Sequence, residues 1–311
     1  MNKEWLDTDN SFKSRIIGKL LGDGSITIQK GRKPRFQFTH TSTDIGWSKY
    51  SFKMLKEYIP LNPPKFKKTI DPRLKKGFSL AYSVQSRTSP IITYLRTEWY
   101  NNGQKVIPFE LLNHFFNEET LAWWYMDDGH LKIHNNKPQK VILSTDSFTI
   151  QENKWLIEFL MDRYNLHFRV DKQNRIILYD QFQIFYFLSL VSPYLHHSIW
   201  RKLPTRCDFI HELPSRRTTL YLPETTQFTS PTKEINLLLS SLNLLILDYK
   251  NGKFYDKWLT TISSHSLIGL RGYQIVLTST VSSNLQFLYE TTGLTYSQLA
   301  YLCIFLKNSE C

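Results

Sequence analysis

The chain has 311 residues, 41% hydrophobic and 14% aromatic, which excludes an intrinsically disordered protein and allows two or three folded units. Its net charge of +12 favours a polyanionic partner. Residues 220–311 contain six basic and six acidic residues, so the whole excess of positive charge lies in residues 1–219. We therefore expect a polyanion to bind the first 219 residues.

The cysteines and apolar segments narrow the cellular context. Cys207, Cys303 and Cys311 form no disulfide framework and no metal-binding spacing, which favours a reducing compartment. No stretch is apolar enough over a sufficient length to predict a membrane span. Residues 1–10 contain acids and no basic amphipathic pattern, so we expect no cleaved presequence or signal peptide.

The first half of the chain begins with an apolar, helix-like run that ends in Asp-Gly, IIGKLLGDG. Alternating polar and apolar residues and polar turns then predict hairpins and amphipathic helices. The predicted elements of this half are, in chain order, a helix ending in 16–24, strands at 25–29 and 35–41, a helix with N-cap candidates at 42–44, a hairpin at 65–85, a helix at 89–100 and a Lys-Val-Ile-Pro segment at 105–108.

The second half repeats this order, beginning with LAWWYMDDG. Its predicted elements are a helix ending in 121–129, strands at 130–134 and 140–145, a helix with N-cap candidates at 145–147, a hairpin at 167–179, a helix at 181–195 and a Lys-Leu-Pro segment at 202–204. One order of elements occurring twice predicts a pseudo-twofold duplication.

Both motif runs end in an acid, Asp23 and Asp128, and these acids are 105 residues apart. A carboxylate at a helix C-terminus is unfavourable by about 0.3–1 kcal/mol because the helix dipole leaves partial negative charge there. A divalent cation between the two carboxylates would offset their repulsion. For a single Asp-Gly, an ordinary helix stop with Gly24 as a left-handed cap is the alternative.

On these residues, about 1–215 of the chain resembles the LAGLIDADG homing endonucleases in their single-chain form with two motifs. The matching motif positions are Gly18, Leu20, Gly22, Asp23 and Gly24 in the first copy and Leu121, Ala122, Asp128 and Gly129 in the second. The resemblance implies an α+β fold in which two αββαββα repeats form a saddle-shaped DNA-binding surface. We expect the first repeat at residues 1–114 and the second at 115–219.

The resemblance also implies the site residues. Asp23 and Asp128 would bind two or more Mg²⁺ ions, and the backbone carbonyls of Gly22 and Asp127 would contact metal as well. Lys105 and Lys202 fall where the family has its active-site basic residues. Solvated surface lysines are the alternative interpretation of that pair, and the Asp127 side chain has no assigned role.

The predicted hairpins carry polar residues suited to DNA, with a solvated sheet face as the alternative. Residues predicted to face base edges in the major groove are Ser25, Thr27, Gln29, Arg35, Gln37 and Thr39. Basic residues at turns and strand ends, predicted to contact phosphates, are Arg32, Lys33, Lys75, Lys76, Lys132, Lys137, Lys140, Lys172 and Arg175. We interpret most histidines, His40 included, as surface or satisfied core groups, and residues 123–125 as core.

Several functions fit this interpretation. The resemblance implies a monomeric, Mg²⁺-dependent, site-specific endonuclease that cuts both DNA strands, leaves short 3′ overhangs and starts intron homing. An RNA-binding intron maturase on the same scaffold is the alternative, and a DNA-binding repressor is a third possibility that the intact acids disfavour. Richness in Lys, Asn, Ile, Phe and Tyr favours synthesis inside a mitochondrion or a chloroplast.

Residues 220–311 fall outside the resemblance and are expected to form a mainly helical extension. A Pro/Ser/Thr-rich linker is predicted at 221–233, and helices at 234–248, 254–263 and 299–307. A packing appendage, a protein-interaction unit and a read-through of flanking sequence all fit this segment.

Overall fold

The computed structural model describes residues 2–205, 209–263 and 269–309. The chain divides into two compact units. The N-terminal unit comprises residues 1–180 and 187–204, and the C-terminal unit comprises residues 181–186 and 205–311. The predicted limits of the two repeats stay a prediction.

The first half of the N-terminal unit follows the predicted order of elements. They are α1 (Lys3–Leu6), α2 (Asn10–Leu21), β1 (Ser25–Thr27), β2 (Arg35–Thr41), α3 (Ile45–Leu55), β3 (Lys65–Ile70), β4 (Phe78–Gln85), α4 (Pro90–Trp99), β5 (Tyr100–Asn101) and β6 (Gln104–Lys105).

The second half has the same order. Its elements are α5 (Phe109–Phe115), α6 (Glu118–Asp128), β7 (Gly129–His134), β8 (Lys137–Leu143), α7 (Ile150–Tyr164), β9 (Arg169–Val170), β10 (Ile176–Leu178) and α8 (Gln181–Val191). Helix α8 is followed by single 3₁₀ turns at Ser192–Tyr194 and His197–Lys202.

Each half builds one four-stranded antiparallel sheet. The strand orders are β1-β2-β4-β3 and β7-β8-β10-β9, which are the same order in chain sequence. In the first sheet Ile26, Phe36 and Phe38 are buried on one face, while the residues between them are half-buried or exposed. Two equivalent sheets accompanied by helices confirm the predicted α+β class.

The motif helices α2 and α6 pack against each other at glycines. A Cβ atom on Gly18 would lie 2.6 Å from the Thr120 carbonyl oxygen and 2.6 Å from the Trp123 Cβ. A Cβ atom on Gly22 would lie 2.5 Å from the Asp127 Cβ. These two glycines, four residues apart on one face of α2, therefore let the two helix backbones approach closely.

Several local predictions are wrong in detail. Strand β1 ends at Thr27, so Gln29 lies beyond it. The N-cap of α7 is Thr149, not a residue of 145–147, because Thr149 and Glu152 form a reciprocal capping box. Helix α2 has Gly22 as its C-cap, outside the left-handed region, so the interpretation of Gly24 as a left-handed cap is wrong.

The C-terminal unit has its own hydrophobic core. Its elements, after the start of α8, are β11 (Arg216–Pro223), α9 (Pro231–Leu238), α10 (Leu242–Lys250), α11 (Phe254–Ser263), β12 (Leu270–Leu277), α12 (Ser279–Thr292) and α13 (Tyr296–Ser309). The linker predicted at 221–233 is wrong in its first three residues, which complete β11 and pair with β12, and in its last three, which begin α9. Helix α12 was absent from the prediction, and a 3₁₀ turn at Leu239–Ser241 interrupts the helix predicted at 234–248.

Among the described residues, the helices fall short of the length and apolarity that a membrane crossing requires.

Candidate active site

The two predicted acids lie where the motif helices end. Helix α2 stops at Leu21, two residues before Asp23, and Asp128 is the last residue of α6. Burial raises the pKa of Asp23 to about 7, and the carboxylates of Asp127 and Asp128 act in the same direction. Burial, with the Asp127 carboxylate, also raises the pKa of Asp128 to about 7. The acids of the two halves therefore share one electrostatic site.

Both predicted lysines bind carbonyl oxygens at the negative ends of these helices. The Lys105 Nζ donates to the Gly24 oxygen at 2.9 Å and to the Gly22 oxygen at 3.4 Å. The Lys202 Nζ donates to the carbonyl oxygens of residues 125, 126 and 127 at 3.0, 2.8 and 3.1 Å. These ammonium groups offset the partial negative charge that makes an acid unfavourable there.

The interpretation of these lysines as solvated surface groups is therefore wrong, although their catalytic role stays a prediction. Burial lowers the pKa of Lys105 and of Lys202 to about 8, against the nearby carboxylates, which raise it. The two carbonyl oxygens predicted as metal ligands, those of Gly22 and Asp127, each accept a hydrogen bond from one of the lysines.

The glycine after each acid allows the chain to turn back against its own helix. The Gly24 N–H donates to the Lys19 carbonyl oxygen at 2.7 Å, and a Cβ atom on Gly24 would lie 2.4 Å from that oxygen. A Cβ atom on Gly129 would lie 2.0 Å from the ring of Tyr125. Any larger residue would displace the acid that precedes it.

The carboxylate of Asp127 is fully buried in a network that the sequence did not reveal. Its Oδ1 accepts hydrogen bonds from the Lys19 Nζ at 2.7 Å and from the Trp47 Nε1 at 2.7 Å, and it lies 3.3 Å from the His40 Nε2. Its Oδ2 accepts from the backbone N–H of Asp23 at 3.2 Å. Burial alone would raise the pKa of Asp127, but Lys19 and His40 outweigh it and hold that pKa well below its ordinary value.

Two carboxyl groups at this site are suited to Mg²⁺. Asp23, His40 and Asp127 offer ligand atoms within 4.8 Å of one another, but the Lys19 ammonium already contacts the latter two, 2.7 Å from the Asp127 Oδ1 and 3.0 Å from the His40 Nε2. Asp23 and Asp128 remain as oxygen donors of the kind that Mg²⁺ prefers, and Mg²⁺ needs only one or two carboxylates plus substrate phosphate.

The first sheet presents most of its predicted DNA-facing residues on one face. In the antiparallel register, Ser25 pairs with Gln37 and Thr27 with Arg35, and Thr39 lies two residues further along β2. The exposed residues Gln29, Arg32 and Lys33 lie in the β1–β2 loop, and Lys75 and Lys76 lie in the β3–β4 loop. The strand register places four more residues, which the prediction omitted, on this face of the sheet: Lys65, Lys67, Ser83 and Gln85.

The second sheet presents fewer of the predicted contacts. Lys132 and Lys140 pair directly across β7 and β8, and Lys137 follows a two-residue turn at Asn135 and Asn136, both with positive φ. Lys172 is exposed in the β9–β10 turn. The Arg175 guanidinium, in contrast, forms an ion pair at 2.7 Å with Asp171.

Sequence reasoning missed Lys19, His40 and Trp47. Lys19 could have been found, because a lysine inside the otherwise apolar run IIGKLL requires a buried partner. His40 and Trp47 gave no such signal, since each lies on an apolar face that also fits an ordinary core. The interpretation of residues 123–125 as core is confirmed, because all three are buried.

Two curated proteins are similar to this chain in sequence. The chain is 25% identical over 201 residues to the probable intron-encoded endonuclease 1 of Wickerhamomyces canadensis, covering 62% of this chain and 84% of that protein. It is 27% identical over 204 residues to the cytochrome b mRNA maturase bI2 of Debaryomyces hansenii, covering 63% and 74% respectively.

The fold has a counterpart among solved structures. The structure of the homing endonuclease I-WcaI bound to its DNA recognition sequence matches with a TM-score of 0.57 at 24% identity, covering 64% of this chain and 88% of that one. The sequence model of the LAGLIDADG DNA endonuclease family matches residues 13–184, which contain most of α2, all of α6, both sheets and both acids. With more than half of its length matched, the chain belongs to the LAGLIDADG DNA endonuclease family.

Proposed function

We propose that this protein is a site-specific, Mg²⁺-dependent DNA endonuclease of the intron-homing type, acting as a monomer and leaving short 3′ overhangs. The observation that carries the proposal is the pair Asp23 and Asp128, one just beyond the end of α2 and one at the end of α6, near enough that the Asp128 carboxylate adds to burial and to Asp127 in raising the pKa of Asp23. Because one chain supplies both acids, it needs no second copy to cut two strands.

The chemistry requires charge stabilisation at the scissile phosphate. When bound, Mg²⁺ ions would supply a clamp on the attacking and leaving oxygens of an in-line displacement. Asp23 and Asp128 would hold these ions, with the carbonyl oxygens of Gly22 and Asp127 beside them. Lys105 and Lys202 would fix those carbonyls through the hydrogen bonds described above and place positive charge next to the phosphate.

DNA recognition is assigned to the open sheet faces. A two-stranded ribbon fits the major groove and reads base edges there, which suits the row formed by Ser25, Gln37 and Gln85. Lysines at turns and strand ends, such as Lys75 and Lys132, suit phosphate contacts that fix register without reading sequence. Contacts spread over two sheets favour a long recognition site.

A maturase role is the second candidate function. It is supported by the similarity to the Debaryomyces hansenii maturase and by basic sheet faces that suit RNA as well as DNA. The intact pair of acids and lysines supports cleavage more directly, because an RNA chaperone has no need of them. Synthesis inside a mitochondrion or chloroplast remains part of the proposal, in keeping with the similarity to an intron-encoded endonuclease.

The test maps cuts on plasmid DNA that carries the intronless allele, with Mg²⁺ and with EDTA, beside a splicing assay on the intron RNA. We expect one Mg²⁺-dependent double-strand break with 3′ overhangs. Faster splicing without any DNA cut would support the maturase role, and tight DNA binding without cleavage would support a repressor. Either outcome would contradict the endonuclease.

A further inference from the structure

We infer that Asp127 is a positioning residue: its buried carboxylate, carried by the motif helix of the second repeat, fixes Asp23 of the first, with Lys19 as a built-in counter-ion. This inference rests on the proposed function, since it assigns Asp23 to the metal site. It concerns the Asp127 side chain, whereas the predicted metal contact concerns the backbone carbonyl of the same residue.

The contact between the two repeats is direct. The Asp127 Oδ2 accepts the backbone N–H of Asp23 at 3.2 Å, so the carboxylate holds the peptide on which the Asp23 side chain is carried. The chain there has already left helix α2, whose last residue is Leu21. The N–H groups of Gly22 and Gly24 bond back to carbonyl oxygens of α2, whereas the Asp23 N–H between them bonds to the Asp127 carboxylate, which therefore fixes that peptide from outside the helix.

The other oxygen of the carboxylate is held just as firmly. The Lys19 Nζ and the Trp47 Nε1 both donate to Oδ1 at 2.7 Å, and the side chains of Lys19 and Asp127 are fully buried. Because two donors bind one oxygen of this rigid, planar carboxylate, the position of its second oxygen is fixed as well. Charge-assisted bonds of this kind are about twice as strong as neutral ones.

Lys19 supplies the positive charge in this network. Its ammonium lies 2.7 Å from the Asp127 Oδ1 and 3.0 Å from the His40 Nε2, so it already occupies the contacts that a cation would make with these two atoms. A fixed ammonium neutralises Asp127 without competing for Mg²⁺. Asp127 therefore supports Asp23 in the way that outer hydrogen-bond partners orient the direct ligands of a metal.

Among the described residues, the arrangement occurs on one side of the site alone. The residue of the first repeat that matches Asp127 is Gly22, which has no side chain, and a Cβ atom there would lie 2.5 Å from the Asp127 Cβ. The residue of the second repeat that matches Lys19 is Trp124, which carries no charge. Asp128 thus has no counterpart of this support, and loss of Asp127 should affect the two halves of the site unequally.

The experiment uses two variants of the full chain, Asp127→Asn and the double variant Lys19→Met with Asp127→Asn. An asparagine has a single acceptor oxygen, which Trp47 and Lys19 would occupy, so its NH₂ group would face the Asp23 N–H. The double variant removes both charges together, so it stays informative if the single variant fails to fold around an unpaired Lys19.

Four measurements separate positioning from mere stability: the amide NMR signal of Asp23 in ¹⁵N-aspartate-labelled protein, DNA affinity, the Mg²⁺ midpoint of cleavage, and the cleavage rate of each strand on doubly end-labelled DNA. We expect the Asp23 amide signal to shift and its hydrogen exchange to accelerate, with unchanged DNA affinity. We expect cleavage or Mg²⁺ affinity to fall about 10- to 100-fold, unequally on the two strands, so that nicked DNA accumulates.

Asp248 of the C-terminal unit provides the matched control. Its carboxylate also accepts hydrogen bonds from a lysine, Lys257, and from a tryptophan, Trp258. The Asp248→Asn variant should leave the Asp23 amide and both strand rates unchanged.

Two results would overturn the inference. One is a folded double variant whose Asp23 amide and strand rates match those of the unaltered protein. The other is an equal loss on both strands with the Asp23 amide unmoved. If the unaltered protein cuts no DNA, the proposed function fails, yet the Asp23 amide signal still decides whether Asp127 holds that peptide.

Discussion

The two repeats of the N-terminal unit have the same order of elements and the same candidate site residues, but they carry different residues where their motif helices contact each other. Both have the same strand order, an acid at the end of a motif helix, and a lysine on the carbonyls of that helix. At the helix contact, Gly18 faces Trp123 and Gly22 faces Asp127. Two identical large side chains cannot occupy one space, so a single chain can place glycine on one helix and bulk on the other. A symmetric homodimer has no such freedom.

The largest expected effect is that of replacing the acid that each repeat supplies to the candidate site. Asp23→Asn or Asp128→Asn should each reduce double-strand cleavage by about 100-fold or more, because each removes a negative oxygen that the metal site requires. DNA affinity should change little, since neither residue is among those assigned to contact bases or phosphates. Plasmid linearisation and gel-shift assays measure the two properties, and full cleavage by either variant would contradict the shared site.

The matching lysines allow the two repeats to be compared quantitatively. Lys202 contacts three carbonyl oxygens and Lys105 contacts two. Lys202→Met should lower the free energy of unfolding by about 1.5–3 kcal/mol, the scale of a charged hydrogen bond, and Lys105→Met should lower it less. Denaturant unfolding measures this. Arg201→Met is the control, since Arg201 is half exposed and its ion pair with Asp44 is worth at most about 1 kcal/mol. Equal effects of all three substitutions would refute the special role of the buried pair.

The raised pKa values predict how metal affinity depends on pH. Asp23 and Asp128 have pKa values of about 7, so below pH 7 a cation must displace a proton from each. The Mg²⁺ midpoint of cleavage should rise about fivefold as pH falls from 7 to 6, and about tenfold per pH unit below that, if one proton is displaced per ion. A midpoint that is constant between pH 8 and pH 6 would show that neither carboxyl holds a proton before metal binds.

Without metal, the same raised pKa values have the opposite effect: a higher pH lowers the free energy of unfolding, although it increases the affinity for Mg²⁺. An aspartate whose pKa is raised from 3.8 to about 7 in the folded protein binds a proton there that the unfolded chain has already lost. The free energy of unfolding contributed by these groups is therefore greatest below pH 4 and falls as pH rises to about 7. Unfolding curves in EDTA at pH 5 and pH 7 provide the internal check on the metal titration.

The smallest expected effect is a change in the salt dependence of DNA affinity, which can be compared between the two sheets. Lys132→Ala in the second sheet and Lys67→Ala in the first should each reduce the slope of log affinity against log salt by about 0.9, the value for one lost phosphate contact. Lys307→Ala in the C-terminal unit serves as the control and should leave the slope unchanged. A change in slope for one sheet alone would show that the repeats divide DNA binding unequally.

The sequence predicted the parts of the fold that depend on local pattern. The strand at 35–41, both hairpins of each half and both motif helices were found because alternation and helical periodicity are local properties. It failed at the N-cap of α7, since Thr145 and Thr149 are equally good capping residues until Glu152 chooses between them. It also missed β12 and the 14-residue helix α12.

The sequence by itself determined that an ancestral unit occurs twice, and with it the acids, the glycines that follow them and the matching lysines. Only the tertiary structure decided what surrounds Asp127, because Lys19, His40 and Trp47 reach it from separate elements of the other repeat. A repeated pattern is carried by spacing along the chain, which the sequence displays. The buried ion pair between Lys19 and Asp127 joins residues 108 apart in the chain, so it depends on packing in three dimensions, and the local pattern around Lys19 indicates only that a partner is required.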